Sequence, residues 1–61
     1  MNLVRDEEIL KLIDASPSQF VSVESLAAHF NISESTIRRE LKKLADLHKL
    51  TRVHGGATTI N

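Results

Sequence analysis

The sequence predicts a mostly α domain, three helices closed by a small β-hairpin. Three observations carry that prediction. Apolar residues recur at helical spacing in three stretches separated by short breaks at Ser16-Pro17-Ser18 and Asn31-Ile32. The pattern then changes to β-branched runs on either side of a glycine pair, Gly55-Gly56. The chain has 61 residues, 41% of them hydrophobic, which gives one small domain with a core, not two domains and not a disordered segment. A domain of about 60 residues buries only about 60% of its unfolded surface, so this core is expected to be thin.

The first helix is expected around Asp6–Asp14, with a start as early as Leu3. Ile9, Leu10, Leu12 and Ile13 form its apolar side, and Asp6, Glu7 and Glu8 sit in its early turns, where the helix dipole favours anions. Pro17 disfavours helix at Ser16 and ends it. Phe20-Val21 reads as a brief strand or an extended lead-in. Ser22 then caps a second helix over Val23–Phe30, whose Val23, Leu26, Ala27 and Phe30 fall at i, i+3, i+4 and i+7. Asn31 tolerates the left-handed conformation that closes helices, and Ser33 is the next N-cap. The third helix runs over about Glu34–Leu47, with Ile37, Leu41, Leu44, Ala45 and Leu47 on one arc and Ser35, Arg38, Arg39, Lys42, Asp46 and Lys49 on the other. Glu40 lies toward the buried arc, where it can pair with a basic neighbour. Leu50–Val53 and Thr58–Ile60 read as strands joined by a turn at His54-Gly55-Gly56-Ala57.

Composition narrows the function. Cysteine is absent, which excludes disulfides, a thiolate nucleophile and a cysteine zinc site. The three histidines, 19 and six residues apart, match no zinc spacing. No stretch is long and apolar enough to span a membrane, and the N-terminus lacks the apolar run of a signal peptide. No nucleophile–base pair comes with an oxyanion loop, and Gly55-Gly56 lacks the lysine and following helix of a phosphate-binding loop. No catalytic residue, metal or cofactor is expected, and the chain reads as a cytoplasmic, non-enzymatic module.

The zero net charge conceals segregation. Residues 1–32 carry Arg5 and Lys11 against Asp6, Glu7, Glu8, Asp14 and Glu24, a net of −3. Residues 33–61 carry Arg38, Arg39, Lys42, Lys43, Lys49 and Arg52 against Glu34, Glu40 and Asp46, a net of +3. Such an asymmetry points to a polyanion met by the second half.

Three helices, a tight turn between the second and third, and a closing hairpin describe a winged helix-turn-helix, with the helix-turn-helix over about 21–40 and the wing over about 50–60. A helix about 10–12 Å across fits the B-DNA major groove, about 12 Å wide. The candidate contacts on or beside the third helix are Ser33, Ser35, Thr36, Arg38, Arg39, Lys42 and Lys43; on the wing they are Arg52, His54 and Gly55. Either arginine could grip a guanine or a phosphate. A winged helix that docks on protein is the alternative, since fold does not fix function; such a module would show apolar or aromatic anchors on the outer side of its third helix.

The run from Val21 to Leu41, with its Ser33-x-x-Thr36-Ile37-Arg38-Arg39-acid-Leu41 stretch, together with Leu50-Thr51-Arg52-Val53-His54-Gly55-Gly56-Ala57, resembles the N-terminal domain of the DeoR family of bacterial transcriptional regulators. Two features depart from that pattern. Glu40 stands where aspartate is usual, and His48-Lys49 replaces a glycine-containing link, so the third helix is expected to end less sharply. The resemblance implies a double-stranded DNA operator as partner and, in the full protein, repression of sugar or carbohydrate genes. It further implies a C-terminal domain, absent from this chain, that binds a sugar-phosphate effector and makes the full protein a homo-oligomer. The present chain is then a DNA-binding fragment, expected to be a weak binder and a monomer.

Overall fold

The computed structural model describes residues 3–60. In chain order the elements are α1 (Leu3–Ala15), β1 (Phe20–Ser22), α2 (Val23–Phe30), α3 (Glu34–Asp46), β2 (Leu50–Val53) and β3 (Gly56–Thr59). The order and type of the helices agree with the sequence reading; the hairpin turn is tighter than expected, and β1 joins the hairpin in one sheet.

Helix α1 turns Ile9 and Ile13 into the core, one turn apart, with Leu10 and Leu12 packed against its rim. It ends where Ser16 donates back to the Leu12 and Ile13 carbonyls at 3.1 and 3.2 Å, just before Pro17. Ser22 caps α2: its backbone is extended and its hydroxyl accepts from the Ser25 amide at 3.0 Å. Ser33 caps α3 in the same way through the Thr36 amide at 3.2 Å.

Both helices of the helix-turn-helix end in the same closure. Past α2, Asn31 is left-handed (φ 57°), Asn31 donates to Ala28 and Ile32 to Ala27. Past α3, His48 is left-handed (φ 61°), His48 donates to Ala45 and Lys49 to Leu44. These are paired Schellman bonds, which satisfy carbonyls the helix leaves open. The expectation that α3 ends less sharply for want of glycine is therefore corrected: His48 takes the glycine conformation. That conformation carries a steric penalty for a residue with a Cβ. His48→Gly is expected to raise stability by about 1 kcal/mol, a melting-temperature gain of roughly 4–8 °C read by circular dichroism. No gain would mean that the His48 side chain offsets its backbone cost.

The three strands form one antiparallel sheet in the order β1-β3-β2. Phe20 pairs with Thr58 and Ser22 with Gly56 on one edge; Leu50 pairs with Thr59 and Val53 with Gly56 on the other. The turn is therefore only His54-Gly55, and Gly56 and Ala57, expected in it, are buried strand residues. Gly55 has φ 80° at the second turn position, the place where a type II turn demands it. Ile60, expected in the return strand, lies beyond it and is half exposed. Leu47, expected on the buried arc, is 54% exposed because α3 has ended.

The core joins all the layers: Ile9 and Ile13 from α1, Val23, Leu26 and Ala27 from α2, Ile37, Leu41 and Leu44 from α3, Leu50 and Ala57 from the sheet. Ile37 and Leu41 are fully buried, so the rotation of α3 about its own axis is fixed by packing.

Candidate nucleic-acid interface

With 3.6 residues per turn, the buried line Ile37, Leu41, Leu44 sends Ser35, Arg39, Lys42 and Asp46 to the opposite side of α3. All four are exposed. Arg38 is turned toward one flank, Thr36 and Lys43 toward the other. Thr36, Arg39, Lys42 and Lys43 line one shallow groove together with Glu40 and Asp46.

The candidate contacts differ in how far they are already engaged. Ser33 spends its hydroxyl on the cap and lies 3.0 Å from the Thr36 hydroxyl, so this pair first shapes the start of α3. Arg38 donates through Nη2 to Glu34 at 3.0 Å, one turn back. Lys42 is 3.9 Å from Asp46, a loose pair with both side chains about two-thirds exposed. Arg39 has no hydrogen bond or acidic partner among the described residues. Its guanidinium is the uncommitted one on the outer line of α3.

The wing contributes a second, separate group. Arg52, His54 and Gly55 are exposed, and no hydrogen bond or ion pair joins them to the α3 set among the described residues. The wing tip is nevertheless anchored: the Gly55 carbonyl accepts from the Val23 amide at 2.9 Å, at the start of α2. That bond fixes the turn against the helix-turn-helix.

The back of α3 is held by an ion pair to α1, whose basic member the sequence reading left unassigned. Arg5 of α1 grips the Glu40 carboxylate, Nε at 2.8 and 3.0 Å from its two oxygens and Nη2 on the second. Glu40 is 8% exposed, so its pairing removes a buried negative charge from the helix that carries the cations. A partner 35 residues away in sequence leaves no local signal. Asp6 stands in the first turn of α1, as expected, but it is buried there: it is 4% exposed, and neither carboxylate oxygen has a hydrogen-bond partner. The signal was present: Asp6 stands at i−3 and i−7 from Ile9 and Ile13, on the buried stripe.

Burial, followed by repulsion from Glu40, raises the Asp6 pKa above its ordinary 3.8, against partial relief from Arg5 and Lys43. The folded state thus binds this proton more tightly than the unfolded chain. Its contribution to stability is full below the unfolded value and is lost as pH rises through the folded one. Asp6→Asn should therefore raise the melting temperature near neutral pH, with the advantage shrinking as pH falls into the carboxylate range. An advantage that grows on acidification would show that Asp6 is stabilised as an anion.

Comparison with known proteins gives the same picture. The family model for the DeoR-like helix-turn-helix domain matches residues 5–61. The chain is 41% identical over 56 residues to the uncharacterized HTH-type transcriptional regulator YulB of Bacillus subtilis, covering 92% of this chain and 21% of that protein. It is equally identical, with the same coverage, to the glycerol-3-phosphate regulon repressor of Haemophilus influenzae. It is 47% identical over 55 residues to the L-fucose operon activator of the same organism, covering 90% of this chain and 21% of that one. The chain thus spans about a fifth of the length of these curated relatives, which are named as regulators of transcription and not as enzymes. No solved structure matches it significantly. The three helices with their wing, the cationic outer side of α3 and the match over nearly the whole length agree: the chain belongs to the DeoR-like helix-turn-helix domain family.

Proposed function

We propose that this domain reads a specific duplex operator by laying the outer side of α3 in the major groove while the wing tip rests on the backbone. The observation that carries this is the uncommitted Arg39 beside Ser35, Thr36 and Lys42 on a helix whose roll is set by Ile37 and Leu41. Arg39 is the base reader in this account, since its fork is open for the O6 and N7 acceptors of guanine. Thr36, Ser35, Lys42 and Lys43 contact phosphates or base edges, and Ser33 acts mainly through the cap. Arg52 and His54 reach the backbone, which the Gly55 turn can approach closely.

In the longer protein the domain serves a regulator of sugar or carbohydrate genes in the cytoplasm, with a sugar-phosphate effector and oligomerisation supplied by a C-terminal domain; by itself the domain is a monomer. Repression is the favoured sign, in keeping with the glycerol-3-phosphate relative, although the fucose relative is named an activator. The protein-docking alternative loses ground because the outer line of α3 bears Ser35, Arg39, Lys42 and Asp46 and no apolar anchor.

The test is selection of duplexes from a random pool, followed by titration of the enriched sequence at several salt concentrations. Specific binding that weakens with salt, about 0.9 in log–log slope per phosphate neutralised, is expected. No enrichment, or binding indifferent to salt, would overturn the reading.

A further inference from the structure

On the DNA-binding reading above, we propose that Glu34 is a specificity-determining residue: by holding Arg38, it suppresses sequence-independent binding to the phosphate backbone. The basis is local geometry. Glu34 opens α3, directly after the Ser33 cap, and its Oε1 accepts from Arg38 Nη2 at 3.0 Å. Both side chains are about half exposed, 45% for Glu34 and 53% for Arg38, so the pair stands at the solvent surface of the helix that meets the polyanion.

Two consequences follow from charge. A free arginine at that place would release a counterion on meeting a phosphate; an arginine already paired to a carboxylate brings no net charge and releases none. The start of α3 is also the end where free amides and the helix dipole attract anions. A carboxylate fixed there occupies that field and repels a phosphate approaching the same end. Both effects fall hardest on the loose, non-specific complex, in which side chains swing to whatever phosphate is near. In the specific complex the register is set by base contacts, and Arg38 is already held in place by Glu34.

The second pair on the helix supplies the control. Lys42 and Asp46 are 3.9 Å apart, without a hydrogen bond, and each side chain is about two-thirds exposed. Asp46→Asn therefore makes the same change in net charge as Glu34→Gln while freeing almost nothing.

The experiment measures the dissociation constant of the 61-residue chain for its pool-selected duplex and for a scrambled duplex of equal composition, at several salt concentrations. Glu34→Gln is expected to tighten scrambled binding about threefold to tenfold at low salt and to steepen its salt slope by about 0.9, one added phosphate contact. The ratio of scrambled to selected dissociation constants then falls by about threefold or more, while Asp46→Asn changes it less than about twofold. The double substitution Glu34→Gln with Arg38→Gln should return scrambled binding most of the way to the parent value, since only the lost repulsion by the carboxylate remains. An unchanged ratio in Glu34→Gln, with the parent still specific, overturns the role of Glu34 and leaves the DNA reading intact. An equal effect from Asp46→Asn, or a gain that survives the double substitution in full, also overturns it, because the hold of Glu34 on Arg38 then contributes nothing. A parent chain that binds neither duplex in a salt-dependent way removes both.

Discussion

Gly56→Ala is expected to destroy the cooperative fold, whereas Gly55→Ala, one residue away, should only weaken it. A Cβ on Gly56 would lie 2.1 Å from the Val21 carbonyl oxygen and 2.7 and 2.9 Å from two carbons of the Phe20 ring. The ring can swing aside, but the carbonyl belongs to β1, which is paired with β3 at Val21–Ala57 and Ser22–Gly56. Relieving the clash means separating the strands. Ser22 is also the cap of α2, so the disturbance passes into the helix-turn-helix. A cost of about 3 kcal/mol or more is expected, against a total stability of about 3–9 kcal/mol for a chain of this length. Gly55 differs: nothing would lie within 4 Å of a Cβ placed there, and only its φ of 80° opposes a side chain. Its replacement should cost about 1 kcal/mol, or roughly 4–8 °C in melting temperature. Thermal melts of the two variants decide the matter, and the reverse order would refute the close approach of β1 to β3.

The second large effect is on binding. Arg39→Ala should lose about 1–3 kcal/mol of specific affinity, roughly fivefold to 150-fold, and relax the base preference at one operator position. Arg38→Ala should lose much less, because Arg38 is paired to Glu34 and lies on the flank of α3. The difference rests on the rotation that Ile37, Leu41 and Leu44 impose on the helix. Equilibrium titration with the selected duplex measures it. A larger loss at Arg38 would exchange the two roles.

Much of this was legible in the sequence for a simple reason: helical periodicity and caps are local. The stripe Val23, Leu26, Ala27 and the hydroxyls of Ser22 and Ser33 locate α2 and α3 without knowledge of their neighbours. The unread features are those that depend on distant partners. Phe20-Val21 reads equally as a brief strand or an extended lead-in, and it is the pairing of Gly56–Thr58 with Phe20–Ser22 that makes it a strand. The position of Gly56 in a strand follows from that same pairing, while the sequence shows only a glycine pair that suits a turn. Arg5 reads as one more charge of an exposed helix until Glu40 is brought to it. The distinction between Arg38 and Arg39, open in the sequence, comes from the partner that Glu34 provides to one of them.

The central claim is that duplex DNA meets the outer side of α3 and the wing tip while α1 faces away. Amide chemical-shift mapping of the labelled domain with its selected duplex tests it directly. The account predicts the largest shifts at Ser35, Thr36, Arg39 and Lys42, a second group at Arg52–Gly55, and little change through the middle of α1 from Glu7 to Lys11. Shifts centred on α1, with residues 35–42 undisturbed, would contradict it.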